Sequence, residues 1–273
     1  MDGVALRGGH RPVVRALLAS PLGFLVGLSL GALGGGGSIL AVPVLVHVAG
    51  QSPRAAVGTS LVVVMLVSVA GLVPHWRAGR VRVGAGTVFG AAGIGGSLAG
   101  TAANHAIDPD ALLLGFAVVM LVASVAMRRR AVAPGDTSAA AAVTTRRRVD
   151  ASVAARVGLA GTGVGLLTGL LGVGGGFVIV PALVLTLHFA MPEAVGTSLL
   201  VIAMNSAVAL LARLGSGNLE WHVIAPFTLA GLAGVLAGSR VADRVDPRRL
   251  ASAFSAALVA IAVYTGVEAA VAL

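Results

Sequence analysis

The residues of this chain that could do chemistry are glycines, hydroxyls and one amide rather than charged groups. Four consecutive glycines, Gly34, Gly35, Gly36 and Gly37, stand between two apolar segments, and Ser38 follows them. A second cluster consists of Gly172, Gly174, Gly175 and Gly176. Glycine runs break helices, and a helix that starts after a break presents free backbone N–H groups at its positive end. Because such ends bind anions, the clusters predict an anion site without a charged side chain.

Five polar side chains inside apolar segments extend this candidate site: Thr59, Ser60, Thr197, Ser198 and Asn205. A hydroxyl there can bind a substrate oxygen or donate back to its own helix, and the sequence leaves both open. An amide in lipid needs a partner, which is either a ligand in a cavity or another helix. The alternative for the glycine clusters is that they only allow helices to pack closely.

No group of side chains has the spacing of a catalytic or metal site. The chain has no cysteine, which excludes disulfides and thiolate ligands. Its histidines are scattered near segment ends without carboxylates at ligand spacing, and no cluster in the segments has catalytic spacing. We therefore expect neither an enzyme nor a bound cofactor.

The composition identifies the medium around these residues. Of 273 residues, 57% are hydrophobic and 11% are charged, against about 25% charged in a soluble domain. That balance excludes a soluble enzyme and a disordered chain. All 19 basic residues are arginines in loops and flanks, which indicates topology signalling and contact with anionic lipid rather than nucleic-acid binding.

Ten apolar segments must position the candidate site, namely 16–33, 38–49, 55–74, 83–103, 111–127, 153–171, 176–190, 194–212, 222–240 and 250–272. A spanning helix takes about 20 residues, so the second and seventh segments are short, and each follows a glycine cluster. Counting each broken pair as one unit predicts an all-α polytopic membrane protein with about eight transmembrane helices. The arginine-rich stretch 128–150 is expected to be a cytoplasmic linker between transmembrane units at 1–127 and 151–273.

The two transmembrane units are copies of one another, because an offset of 138 residues aligns them without a gap. Pro43 falls on Pro181, and the block A-V-G-T-S-L at 56–61 recurs at 194–199. Across residues 31–63, 16 of 33 positions are identical. Two-fold repeats with interrupted segments are typical of secondary transporters, and the interruptions indicate the binding site.

Two arrangements of the copies remain open. In the first, the copies are parallel, each crosses the membrane four times, and both termini are inside. In the second, each broken pair is a re-entrant hairpin, each copy crosses three times, and the copies are inverted. Both place 14 arginines inside and five outside, so the positive-inside rule gives no preference. The lengths of 16–33 and 153–171 slightly favour eight crossings.

The glycine-and-proline patterns from Gly34 to Pro43 and from Gly172 to Pro181, with the G-T-S blocks that follow, resemble the TauE/SafE family of membrane transporters. The resemblance covers nearly the whole chain except the linker and the first dozen residues. It implies a bacterial inner-membrane permease, often linked to sulfite or organosulfonate anions.

The repeat and the resemblance together predict a secondary transporter that moves a small anion by alternating access. The expected partners are that anion and the lipid bilayer, with no nucleic acid; self-association is left open. An anion channel and a non-transport membrane assembly or interaction protein are the alternatives.

Overall fold

The computed structural model describes residues 10–104, 109–132, 151–171, 176–212 and 220–272, and every regular element in those ranges is an α-helix. The helices are, in chain order, α1 His10–Leu33, α2 Gly36–His47, α3 Pro53–Arg77, α4 Val83–Asn104, α5 Pro109–Val132, α6 Ala151–Leu171, α7 Gly176–Thr186, α8 Met191–Leu211, α9 Trp221–Arg244 and α10 Pro247–Ala272. Each of the ten predicted segments coincides with one helix, which confirms the all-α prediction. Residues 133–150, most of the predicted linker, lie outside the described ranges.

Local sequence signals set several helix boundaries. The Ser52 side chain accepts a hydrogen bond from the backbone N–H three residues on, and Pro53 occupies the first position of α3, where proline is tolerated. At the start of α10, Asp246 Oδ1 accepts a 2.7 Å hydrogen bond from the Arg248 N–H. Between α3 and α4 the chain turns at Gly79 with φ of +69°, a conformation that favours glycine.

Four helices among the described residues are long and apolar enough to cross a membrane, covering Ala55–Arg77, Val83–Ala103, Met191–Leu211 and Trp221–Arg244. Shorter apolar helical stretches cover 20–33, 36–47, 154–170 and 176–186. Large apolar side chains also face outward, such as Leu98 and Leu159, which are 71% and 75% exposed. An exterior of this kind is costly in water and suits a lipid surround, as expected for a polytopic membrane protein.

Glycines spaced four residues apart bring helix backbones into contact at two matched interfaces. A Cβ on Gly27 of α1 would lie 2.1 Å from the carbonyl oxygen of Gly231 of α9. In the same way, a Cβ on Gly165 of α6 would lie 2.0 Å from the carbonyl oxygen of Gly93 of α4. The offset of 138 residues converts one contact into the other. Small residues allow this close approach in membrane bundles.

These contacts fix the relative directions of the paired helices. One turn beyond the contact of Gly27 with Gly231, Gly31 lies beside Val235, so the numbering rises together and α1 runs parallel to α9. The same test shows that α4 and α6 are parallel, since their contacts also rise together, 89 with 161, 93 with 165 and 97 with 169.

Helix α3 runs parallel to α9 and antiparallel to α8. Gly71 of α3 lies beside Leu199 of α8, whereas four residues later His75 lies beside Gly196, so the numbering rises in one helix as it falls in the other. The contacts of α3 with α9 rise together, 67 with 231 and 71 with 235. Helix α4 is parallel to α8, since Gly86 lies beside Leu200 and Gly90 beside Met204. Helices α1, α3 and α9 therefore run one way, and α4, α6 and α8 run the other way. Each of the three corresponding pairs in the two copies, α1 with α6, α3 with α8 and α4 with α9, is oppositely directed.

Helices α1 and α2 form a hairpin that turns inside the bundle. Gly37 at the start of α2 lies beside Val26 of α1, with its Cβ position 2.1 Å from the Val26 carbonyl oxygen. The last turn of α1 lies beside Gly238 of α9. Helix α9 continues for roughly two further turns, to Arg244, so α1 ends before it reaches that end of the bundle. Because α1 and α3 are parallel, α2 must return toward the end where α1 began.

At one end of the bundle lie the C-terminal ends of α3 and α9 and the N-terminal ends of α4, α8 and α10. We call it the Arg-rich end. Its arginines on these elements are Arg77, Arg80, Arg82, Arg240, Arg244, Arg248 and Arg249. An ion pair between Arg80 and Asp243 joins the α3–α4 turn to the last turn of α9. Parallel copies would separate these two segments, so the directions of the described helices agree with the inverted arrangement and not with the parallel one. The glycine contacts, rather than segment length, determine these directions.

Candidate functional site

The two breaks in the chain meet inside the bundle. A Cβ on Gly35, in the turn between α1 and α2, would lie 2.0 Å from the carbonyl oxygen of Gly176, the first residue of α7. A Cβ on Gly176 would in turn lie 2.5 Å from Ser38 Oγ. Gly172, Gly174 and Gly175 of the predicted site lie outside the described residues. The structure thus brings Gly35, Ser38 and Gly176 together, as the sequence predicts for a shared site.

Three of the four consecutive glycines have no room for a side chain. Gly34 has φ of +75°, and its Cβ position lies 2.6 Å from Ser198 Oγ. Gly35 and Gly37 face backbone carbonyl oxygens at about the same closeness as the helix-packing glycines do. Gly36 differs, because the nearest atom to its Cβ position is a leucine methyl at 3.8 Å. Close packing therefore explains Gly34, Gly35 and Gly37 but leaves Gly36 unexplained.

The first turn of α2 presents backbone donors that have no backbone acceptor among the described residues. All four glycines are buried, and the Ser38 N–H donates to the Gly35 carbonyl at 3.3 Å. In the part of the chain that the structure describes, no backbone carbonyl outside the regular helical ladders accepts from the N–H of Gly35, Gly36 or Gly37. Unpaired N–H groups at a helix start carry partial positive charge. Buried donors of this kind need a partner, and an anion can supply one.

The predicted serines bind backbone carbonyls. Ser198 Oγ lies 2.6 Å from the Gly34 carbonyl oxygen and 2.8 Å from that of Val195, and it can donate to either. Ser38 Oγ donates to the Gly35 carbonyl at 2.8 Å. Ser60 Oγ donates to Val57 of its own helix at 2.9 Å, the back-bonding alternative. Ser198 and Ser38 therefore hold the glycine turn in place.

The remaining three polar residues differ in environment. Thr197 Oγ1 accepts a 3.1 Å hydrogen bond from the Arg82 N–H at the start of α4. Thr59, its mate at the 138 offset, is fully buried, and Thr59 Oγ1 has no partner among the described residues. Asn205 Oδ1 is also buried without a partner there.

Asn205 lies on the face of α8 that contacts both breaks. Residues seven apart share a helix face, and residues three apart are neighbours on it, so Asn205 lies on the same side as Ser198 and Ile202. Ser198 contacts Gly34, and Ile202 lies 3.1 Å from the Cβ position of Gly176. A buried amide oxygen thus lies about two turns along α8 from the glycine turn.

Sequence reasoning missed a set of charged contacts at the two ends of the bundle. At the Arg-rich end, an ion pair of 2.5 Å joins Arg82 Nη2 to Glu193 Oε1. At the other end, Gln51 donates a 3.0 Å hydrogen bond to Glu220. Arg82 and Glu220 occupy equivalent positions at the 138-residue offset. This match of opposite charges is the sequence signal that could have indicated the two contacts. The partners are distant in the sequence, so only the folded chain identifies them.

Comparisons with known proteins find a family of membrane transporters. A family model described as "Sulfite exporter TauE/SafE" matches residues 19–265. A "Probable membrane transporter protein" of Xylella fastidiosa (strain Temecula1) is 33% identical over 250 residues, which are 89% of this chain and 91% of that protein. The "Probable membrane transporter protein YunE" of Bacillus subtilis (strain 168) is 27% identical over 248 residues, 86% of this chain and 87% of that protein. No solved structure gives a significant match.

Proposed function

The chain belongs to the TauE/SafE family of membrane transporters, and on that premise we propose that it is a secondary transporter for a small anion, sulfite or an organosulfonate. The proposed site rests mainly on the N–H groups of Gly35, Gly36 and Gly37, which are buried where the two breaks meet. Among the described residues, no backbone carbonyl outside the regular helices accepts a hydrogen bond from them. The family description supplies the substrate class. The anion binds at this turn, against α7 and the Ser198–Asn205 face of α8.

The chemistry of the turn suits an oxyanion. Leaving a buried N–H without a partner costs about 1–3 kcal/mol, and sulfite and sulfonate groups each carry three acceptor oxygens. Helix starts attract such groups without a full positive charge. Asn205 adds an amide that can both donate and accept, whereas its repeat mate is Val67. The substrate is therefore bound off-centre, nearer to α8 than to α3.

The opposed directions of corresponding helices support alternating access. Inverted copies that share one central site can open it to either side by rocking. In this topology α3, α4, α5, α8, α9 and α10 cross the membrane, and α1–α2 and α6–α7 are re-entrant hairpins. The Arg-rich end faces the cytoplasm of the bacterial inner membrane, in line with the positive-inside rule. Six crossings with two hairpins replace the eight expected from segment length.

The test is counterflow in proteoliposomes with labelled sulfite and labelled methanesulfonate. We expect saturable uptake that unlabelled anion inside the vesicles accelerates. Unitary conductance without this acceleration would favour the anion channel. The absence of both flux and conductance for each anion would favour the assembly or interaction protein.

The site itself is tested with Asn205→Leu, which removes the amide and keeps the side-chain size. We expect the KM for the transported anion to rise at least tenfold. Thr228→Val is the matched control, because Thr228 Oγ1 is also buried without a partner among the described residues but lies on α9. Equal effects of the two substitutions would contradict the site.

A further inference from the structure

The ion pair of Arg82 with Glu193 supports an inference that rests on the proposed function. We propose that Arg82 is a second anion-binding residue, at the mouth of the site, where the oxyanion of the substrate displaces the Glu193 carboxylate. The Arg82 guanidinium thus receives the substrate before the uncharged glycine turn does.

The position of the pair suits a mouth. Arg82 directly precedes α4, and Glu193 lies in the first turn of α8, both at the Arg-rich end. Their side chains are 28% and 25% exposed, so solvent reaches the pair although most of its surface is covered. Ser198, which contacts the glycine turn, lies five residues further along α8, about 7.5 Å deeper.

The guanidinium has donor capacity that its carboxylate partner leaves unused. Nη2 of Arg82 bonds one oxygen of Glu193, while Nε is buried and has no partner among the described residues. A guanidinium presents a planar fork of donors that matches oxyanions with two or more oxygens. Sulfite or sulfonate can engage both Nη2 and Nε, whereas Glu193 engages one. The carboxylate therefore stands in for the substrate in this structure.

The pair is also connected to the glycine turn through α8. Glu193 and Thr197 lie on one face of α8, and both bind residue 82, one through its side chain and one through its N–H. The next residue, Ser198, binds the Gly34 carbonyl. Displacement of Glu193 removes one of the two polar contacts, those of Glu193 and Thr197, through which α8 binds residue 82. Anion capture at Arg82 thereby loosens the helix that closes over the site.

A matched pair on the same turn serves as the control. Arg80 binds Asp243 of α9, and the Asp243 side chain is 49% exposed. Exposed pairs of this kind contribute little. The Arg80 side chain pairs with α9, and it is the backbone carbonyl of Arg80 that lies near α8, 3.0 Å from the Cβ position of Gly196. Arg80→Gln removes the same charge from the same segment without touching the proposed mouth.

The experiment measures labelled sulfite uptake and the rise in Tm that sulfite causes in detergent. We expect Arg82→Gln to raise the KM at least tenfold and to reduce the Tm shift, and Arg80→Gln to change the KM less than twofold. We expect Glu193→Gln to lower the KM several-fold, because it frees the guanidinium. The charge exchange Arg82→Glu with Glu193→Arg restores the ion pair in reverse, and we expect it to leave the KM raised.

Three results would overturn the inference. Recovery of wild-type KM by the charge exchange would mean that the pair is only structural, as would a KM raised equally by Arg82→Gln and Glu193→Gln. A wild-type KM in a folded Arg82→Gln protein would exclude any role in binding. Failure of the proposed function is distinguishable, since the wild-type protein would then show neither uptake nor a Tm shift with either anion.

Discussion

Ser198 of α8 lies 2.6 Å from the carbonyl oxygen of Gly34, 164 residues earlier in the chain, and donates a hydrogen bond to it. The contact crosses from the second copy to the first and fixes the turn at which α1 ends and α2 begins. Because Gly34 has φ of +75°, only glycine adopts this backbone readily. Ser198, in the A-V-G-T-S-L block of the second copy, thus binds Gly34 in the glycine cluster of the first copy.

Removal of this hydrogen bond should weaken both the fold and transport. Ser198→Ala leaves the Gly34 carbonyl without its side-chain donor, which costs about 1–3 kcal/mol for a buried acceptor. Ser60→Ala is the control, because Ser60 bonds only within its own helix among the described residues and should cost less than about 1 kcal/mol. The free energy of unfolding in detergent and the initial uptake rate measure both effects. Equal losses for the two variants would contradict the crossing contact.

The consecutive glycines should respond unequally to alanine. Gly35→Ala places a methyl 2.0 Å from the Gly176 carbonyl oxygen, whereas Gly36→Ala meets nothing closer than 3.8 Å. Overpacking typically costs 1–3 kcal/mol, so Gly35→Ala should lose at least about 2 kcal/mol and Gly36→Ala less than about 1 kcal/mol. Thermal unfolding separates them, and a Gly36→Ala protein that folds but binds anion more weakly would place the anion against this glycine.

The helix-packing glycines offer a control within one helix. Gly165→Ala puts a Cβ 2.0 Å from the Gly93 carbonyl oxygen, but Gly163→Ala, two residues away, has nothing within 4 Å. Alanine is the better helix former by about 1 kcal/mol, so Gly163→Ala should be neutral or stabilising. Gly165→Ala should destabilise by at least about 2 kcal/mol. Similar Tm values for both would mean that α4 and α6 do not approach this closely.

Single cysteines can test the inverted topology, since the chain has none of its own. Gly79→Cys and Arg244→Cys should both react with a membrane-impermeant maleimide from the cytoplasmic side. Ser52→Cys and Trp221→Cys should react only from the opposite side. Parallel copies would place positions 79 and 244 on opposite sides, so divergent labelling of these two would refute the inverted topology.

Composition and pattern were enough to identify the class and the elements. All ten apolar segments are helices, because helix formation depends on local runs of apolar residues and their breaks, which the sequence displays directly. The proximity of Gly35, Ser38 and Gly176 also agrees with the sequence, since paired interruptions in a repeat point to a shared place; their role as a binding site stays a prediction. The sequence predicts that the Asn205 amide needs a partner; its Oδ1 is buried without one among the described residues, so its role in a site stays a prediction.

Tertiary structure decided the direction of the copies and the partners of the charges. The count of arginines gave equal support to both arrangements. Four arginines that one arrangement places inside are outside in the other, and four others move the opposite way, so each arrangement has 14 arginines inside. Contacts between residues more than 70 positions apart resolved this, because the close approach of glycine backbones showed that α1 is parallel to α9 and α4 is parallel to α6. The pairing of Arg82 with Glu193 arose in the same way, since an ion pair depends on distance in space. The sequence therefore determined where glycine clusters interrupt the helices. Tertiary packing determined which residues lie beside those interruptions and which residues pair with the charged side chains.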